Sequence, residues 1–446
     1  MPHPAYVVGR NTIRALTLRE IPVPYSSARR ASRAIARSRA RSVVGLAAAA
    51  TAATLAFPAM ASAQFGSLGP GSSGSVDTGS VPPGLLFPPT PGIGAGEGVE
   101  VVDGPAVETA VVMDGLNVPW DVVRTPDGTI LTGERGGRMV VQRPGEEQRE
   151  IGIDLPGLFR QSESGLMGMA VDAGFAQNRE IHVCWSRSLG GERDNRITTF
   201  AVDEDWTAMT KVRDTLTGIP LGDNGLHSGC RLLTAPDGSI YVGTGDTQSP
   251  TGPQDPQSLA GKTLHITPEG DPASGDSVIH TIGHRNVQGL AIDPDSGRVY
   301  SAEHGPDVDD EVNLLQPGGN YGWNPNIGGQ YNQNVPMTDT ARFPDAIDAV
   351  WSSGAPTLAP ADIEFLGPEW GEWAGALAMA NLKTQKLVLL RLGEDGRSVV
   401  DASVLLEGEF GRLRSIAPEP DGSLMVTTSD ADNRDQVFRV SPAAAR

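Results

Sequence analysis

The chain has 446 residues, a formal net charge of −19, 55 glycines, 35 prolines and only 5% aromatic residues. So acidic a protein is a poor nucleic-acid or anionic-membrane binder, because those partners are held by basic surfaces. With one residue in five Gly or Pro, the composition also argues against long helices and for many short strands joined by turns.

The first segment reads as an export signal. Nine arginines between Arg10 and Arg41 precede the apolar run Val43 to Phe57, and Ala61-Ser62-Ala63 ahead of Gln64 has the small-residue form of a cleavage site. The apolar run is short for a membrane span, so residues 1–63 are expected to be removed, leaving no stable span and a periplasmic or secreted protein. Arg29-Arg30 matches a twin-arginine signal only in part. Cleavage leaves 26 basic and 53 acidic residues, a net charge near −27. Residues 64–98 are rich in Gly, Ser and Pro with little to form a core, which is the composition of a disordered linker. The globular domain is expected over 99–446.

Within that domain one theme recurs six times: a short apolar strand, a turn rich in Pro, Asp and Gly, and a second apolar strand. The units are WDVVRTPDGTILTGER from Trp120, LMGMAVDAGFAQNREIHVCWS from Leu166, RLLTAPDGSIYVGTGD from Arg231, LAIDPDSGRVYSAEHG from Leu290, ADIEFLGPEWGEWAGALAMANL from Ala361 and RSIAPEPDGSLMVTTSD from Arg414. Each is followed by one or two further strand-like runs, such as LVLLRL from Leu387. Units this small bury a face only against their neighbours, so the repeat predicts an all-β fold, a six-bladed β-propeller of four-stranded antiparallel blades. A β-sandwich has many short strands but no need of the same hairpin six times. The two cysteines, Cys184 and Cys230, allow one disulfide in an exported protein, or two buried thiols.

The densest chemistry lies between Gly283 and Trp323. Arg285, Asn286 and Gln288 enter one strand of a hairpin, and Glu303, His304, Gly305 and Pro306 leave the other, so both groups fall on one edge. An arginine fork suits a planar anion, and a Gly-Pro corner can turn carbonyl oxygens toward a hard cation. The plain alternative is an ion pair of Arg285 with Glu303 and glycines that only make turns. Aligning the six units places Glu163, His227, Arg285, Asn286, Lys383, Arg412 and Arg414 at equivalent places around one rim of the channel. Four converging cations in an acidic protein imply an anionic ligand.

The ordered motifs ESGLMGMA, HSGCRLLTAPDG, GKTLHITPEGD, GHRNVQGLAIDP, SAEHGPDVDDEVNLL, GGNYGWN, WSSGAP, NLKTQKL and GRLRSI resemble the soluble pyrroloquinoline quinone (PQQ)-dependent sugar dehydrogenases. This is the glucose/sorbosone dehydrogenase family, and the likeness, over about residues 110 to 441, is nearer its aldose sugar dehydrogenase branch. The resemblance implies an enzyme that oxidises the C1 hydroxyl of an aldose to a lactone, with hydride transfer to the quinone and electrons passed to an external acceptor such as a cytochrome or a quinone. It implies His227 as general base and Arg285, Asn286, Lys383, Arg412, Arg414 and Glu163 around the quinone, with Gln288 in the same motif and Gln288 and Trp351 toward the substrate. It further implies calcium at the Gly305 and Pro306 carbonyls, and a structural calcium at Glu311 and the Tyr321 carbonyl. Val287 departs from the proline usual between Asn and Gln, and Cys230 stands where small residues are usual. The alternatives are a non-enzymatic propeller that binds carbohydrate or protein, and a calcium-dependent lactonase, which needs several carboxylates converging on a central metal.

Overall fold

The glycines of the repeated turns take the positive φ that reverses the chain, 86° at Gly128 and 87° at Gly238, and each such turn joins the two innermost strands of one sheet. The computed structural model describes residues 99–443. The expected signal of residues 1–63 and the linker of 64–98 lie outside the described residues, as do the last three positions.

The six innermost strands are Pro119–Arg124, Leu166–Val171, Gly229–Thr234, Val287–Ile292, Pro360–Phe365 and Leu413–Pro418. Each touches the next, and the last returns to the first, which closes a ring around a channel. Each pairs antiparallel with the following strand, as in Val122↔Thr132, Leu232↔Val242, Leu290↔Ser301 and Ile363↔Met379. Blades one, two, three and five run on outward through consecutive strands, and in blade four a separate hairpin, Asn326–Ile327 with Gln330–Tyr331, intervenes before the outermost strand. The sixth takes its outer strand, Val107–Leu116, from the start of the domain, with Val107 opposite Pro442 and Leu116 opposite Asp435. The predicted propeller is therefore what forms.

Features set by long-range pairing differ from the plain repeat. Blades one and two share an eight-stranded sheet, because Ala208 pairs in parallel with Gly152. Glu100–Val101 adds a parallel edge to blade five. Six apolar clusters fill the spaces between adjacent blades. Trp351 corrects the sequence expectation: it lies on the outermost strand of blade four, and its indole is buried with Val312, Leu377 and Met379 between blades four and five. It is a core residue there, not a wall of a substrate pocket.

One side chain ties the ring across its axis. Arg231 Nη1 lies 2.9 Å from Asp121 and 3.1 Å from Asp362, its Nε donates to the Gln288 carbonyl at 2.7 Å, and its guanidinium stacks over Trp120. Asp121 also accepts from the Met169 amide at 2.8 Å and the Ser415 hydroxyl at 2.6 Å. All six blades thus meet in one buried network.

Cys184 and Cys230 are joined by a disulfide, so the second strand of blade two is fastened to the inner strand of blade three across 46 positions. Replacing both cysteines by alanine is expected to cost about 2–4 kcal/mol, seen as a fall of several degrees in the thermal midpoint. An unchanged midpoint would show that the bridge does not contribute.

Candidate active site

The rim site begins with a tight loop. His227 has φ of 51°, a left-handed conformation unfavourable for a side-chain-bearing residue, and the chain around it has no room to relax. A Cβ on Gly245 would sit 1.9 Å from the His227 carbonyl, and one on Gly229 would meet the Thr244 backbone at 2.5 Å. The loop before blade three's inner strand is thus pressed against the end of its second strand. That contact brings Asp246 to His227.

Asp246 Oδ1 lies 2.7 Å from His227 Nδ1. The carboxylate also accepts from Trp323 Nε1 at 2.7 Å, the Tyr331 hydroxyl at 3.1 Å and the Gln248 amide at 2.8 Å. Four donors surround a fully buried carboxylate, which fixes it as the acceptor. Nδ1 is therefore the donor in this pair, and Nε2 is the ring nitrogen left free of Asp246. Burial, then the Asp246 charge, pushes the Tyr331 phenol well above its usual range, so it stays a donor. An imidazole held by a buried carboxylate in this way has the geometry that a proton acceptor requires.

The stretch from His284 to Gln288 is held from below by Glu303. Its carboxylate accepts from the Arg285 amide at 2.6 Å, from His284 Nδ1 at 2.8 Å and from Asn313 at 3.0 Å. Glu303 thus binds the backbone of Arg285 and leaves the guanidinium free of it. The Arg285 side chain instead donates to the His304 carbonyl at 3.0 Å and lies over Trp323, and its buried Nε has no partner. The ion pair that would have explained Arg285 structurally is absent among the described residues.

A chain of amides crosses the rim. Asn286 donates to Glu163 at 3.0 Å, and its oxygen accepts from the Gly229 amide at 3.1 Å and Gln288 at 3.2 Å; Gln288 in turn accepts from Arg414 at 3.2 Å. Arg414 is buried with its Nε unpartnered. Burial, then repulsion from Arg231, lowers its basicity. A guanidinium does not deprotonate in a protein, so this shift measures the cost of keeping an under-compensated cation there. Arg412 and Arg135 stand close enough to act on the same group. Lys383 is exposed and donates to the Thr357 hydroxyl at 2.6 Å.

Arg285 and Arg414, with Arg412 and Lys383 at the open side, fit a polycarboxylate cofactor: buried guanidinium N–H groups without acceptors need anionic oxygen. The corner after Glu303 fits a hard cation by another route. Asp310 accepts from the Gly305 amide at 2.9 Å and the Ala359 amide at 2.7 Å, and among the described residues the Gly305 and Pro306 carbonyls accept no hydrogen bond. A side chain at 305 would meet the Val308 carbonyl at 2.0 Å, so the corner requires glycine. No cage of three or more carboxylate, imidazole or thiol groups occurs among the described residues. A metal here would depend on backbone oxygen, and the set of carboxylates that a lactonase needs is missing.

Glu311 and Tyr321 sit beneath the same stretch, Glu311 opposite Glu303 and Tyr321 against His284. Glu311 pairs across the strands with Glu303, and burial, then that neighbouring charge, raises its carboxyl well above the usual range. Asn313 donates to both carboxylates and has a buried Oδ1 with no partner. Two buried carboxylates and an unpartnered amide oxygen side by side make a donor set of the kind calcium takes. Tyr321 gives its hydroxyl to the Leu314 carbonyl and stacks on His284.

Sequence reading missed Asp246, Trp323, Tyr331 and Arg135. A usable signal was present for Arg135, which follows Glu134 where His304 follows Glu303, each just past the end of its blade's second strand.

Solved structures share this fold. A Thermus thermophilus oxidoreductase described as a glucose dehydrogenase is 36% identical with a TM-score of 0.64, covering 75% of this chain and 100% of its own. The PQQ-bound aldose sugar dehydrogenase of Streptomyces coelicolor is 30% identical with a TM-score of 0.64, covering 76% and 99%. In sequence, the aldose sugar dehydrogenase of Escherichia coli is 25% identical over 356 residues, 75% of this chain and 93% of that protein. Residues 116–439 match the family described as Glucose / Sorbosone dehydrogenase, and with these relatives the chain belongs to that family of sugar-oxidising quinoproteins.

Proposed function

We propose that the protein is an exported, calcium- and PQQ-dependent dehydrogenase that oxidises the C1 hydroxyl of an aldose to a lactone. The observation that carries this reading is the Asp246–His227 pair beside two buried guanidinium groups, Arg285 and Arg414, whose Nε atoms have no acceptor. When bound, the quinone supplies the two-electron acceptor for the C1 hydride, and calcium supplies Lewis-acid polarisation of it.

The protein's own groups do the rest. His227 Nε2 takes the hydroxyl proton, leaving the C1 electrons to depart with hydrogen as hydride while the C1–O double bond of the lactone forms. Asp246 stabilises the imidazolium that results, and Trp323 and Tyr331 keep Asp246 in place. Arg414 and Arg285 hold carboxylate oxygen, Arg412 and Lys383 add charge at the open side, and Asn286 and Gln288 orient the face on which the sugar lies. The Gly305 and Pro306 carbonyls would hold calcium at the rim, and Glu311 with the Tyr321 carbonyl would hold a structural ion. A strongly acidic surface favours a basic electron acceptor.

Reconstitution of purified apoprotein with quinone and calcium, followed by dye reduction across a panel of aldoses, tests the reading. Turnover that needs both additions is expected; binding of sugars without turnover would favour a non-enzymatic propeller.

Arg414→Lys is expected to weaken quinone binding by about tenfold or more, because a buried fork cannot be replaced by a point charge. Titration of the variant with quinone reads this directly, and unchanged affinity would remove Arg414 from the cofactor site.

A further inference from the structure

We infer that the rim carries a second anion site, centred on Arg135, which recognises a carboxylate or phosphate on the sugar, so that the preferred substrates are acidic aldoses. This rests on the sugar-oxidising reading above and adds the substrate class to it.

Arg135 follows the second strand of blade one, Ile130–Glu134. Its backbone is pinned on both sides: its amide donates to the Val118 carbonyl at 3.0 Å, and its carbonyl accepts from the Leu166 amide at 3.1 Å. The side chain crosses Gly165, where a Cβ would meet the Arg135 carbonyl at 2.2 Å and its Cγ at 2.6 Å. Gly165 therefore opens the path that leads the guanidinium to the rim beside Glu163.

Once there, the guanidinium has no hydrogen bond or ion pair among the described residues. The nearest carboxylate in sequence, Glu134, is occupied by Arg138 at 2.7 Å and the Asn117 amide at 3.0 Å. Burial and the charge of Arg412 both work against the Arg135 cation, with Glu163 in partial opposition. The protein thus keeps two guanidinium groups in mutual repulsion at the edge of its active site, despite a large surplus of carboxylates elsewhere.

A cavity of about 360 Å³ adjoins this group, lined by Arg135, Arg160, Asn117, Gln161 and Ser162 among others, with no carboxylate in its wall. None of Arg285, Lys383, Arg412 or Arg414 lines it, so it is separate from the cations assigned to the quinone. Its size lies at the small end of ligand pockets. Two guanidinium groups with amide and hydroxyl donors match a single carboxylate or phosphate at the far end of a sugar whose C1 faces His227.

The test compares glucuronate, glucose 6-phosphate and glucose as substrates of the reconstituted holoenzyme, wild type and Arg135→Gln. Wild type is expected to favour at least one acidic sugar by tenfold or more in kcat/KM, with the preference shrinking at high salt. In Arg135→Gln that ratio should fall at least tenfold while quinone affinity, read by titration, stays within about threefold. Glucuronate against glucose 6-phosphate decides between carboxylate and phosphate. Equal use of neutral and acidic sugars, an unchanged ratio in the variant, or a defect confined to quinone affinity overturns the inference and leaves the dehydrogenase reading standing. If no sugar is oxidised, the dehydrogenase reading itself fails. Calorimetry then decides the anion site alone: glucuronate binding tenfold tighter than glucose sustains it, and equal binding overturns it.

Discussion

His227→Gln is expected to lower turnover by two or more orders of magnitude while leaving the fold and quinone affinity nearly intact. Glutamine keeps a polar group of similar reach but cannot accept a proton at neutral pH, and loss of a positioned base commonly costs 10²–10⁴-fold. The geometry adds a second expectation. Asp246 sets the ring so that Nε2 is the free nitrogen, so Asp246→Asn should impair the same step, and the double variant should fall little below His227→Gln alone, because the two act as a unit. Stopped-flow reduction of the quinone by saturating sugar would measure the step. A His227→Gln enzyme that binds quinone normally and turns over within about threefold of wild type would require another base.

The largest effect on stability is expected from Arg231→Met. The substitution preserves much of the apolar stem but leaves Asp121 and Asp362 buried without their shared cation, a class of change that costs about 3–5 kcal/mol. The deficit should depend on pH in a defined direction. Burial, opposed by Arg231 and reinforced by Asp121, raises the Asp362 carboxyl from its ordinary 3.8 to about 7. A raised carboxyl binds a proton in the folded state that the unfolded chain has already released. Its stabilising effect is therefore complete below about pH 3.8 and lost as the pH rises through about 7. Without Arg231 the carboxyl has still more reason to be neutral, so the variant should lag wild type less at pH 5 than at pH 8. Denaturant midpoints at the two pH values read this, and a deficit independent of pH would exclude the carboxylates as its cause.

What the sequence disclosed, and what it did not, follows from the range of the interactions. The PDG and PDSG turns of four units, and the Gly-containing turns of the other two, are local chemistry, so the six hairpins and their channel-facing ends could be read directly from the chain. Rim residues carried by those hairpins, Arg285, Asn286, Gln288 and Arg414, could be read with them. Asp246 and Tyr331 could not be assigned, because their roles come from one loop closing over another, and nothing in GTGDT or GGQYN specifies that contact. Trp351 illustrates the opposite error: an aromatic residue near site motifs can belong to the core when its strand lies at the outer edge of a blade. Arg231 was visible only as one unit's first residue, since a side chain that spans the axis has no periodic signature.

The latch of Val107–Leu116 against Asp435–Pro442 also bears on how the protein is made. The sixth blade joins an early strand of the domain to one of the last synthesised, so no ring closes until nearly the whole domain is available. Five blades can collapse as they emerge, but their outermost faces stay unpaired until the final strand arrives, and contacts of such sequence separation form slowly. A nascent chain stopped before Asp435 would expose the edge of Val107–Leu116, a template for pairing with another unfinished copy. The sixth blade is therefore completed only at the carboxyl end of the domain, where Asp435–Pro442 supplies the partner of both Val107–Leu116 and Leu424–Thr428.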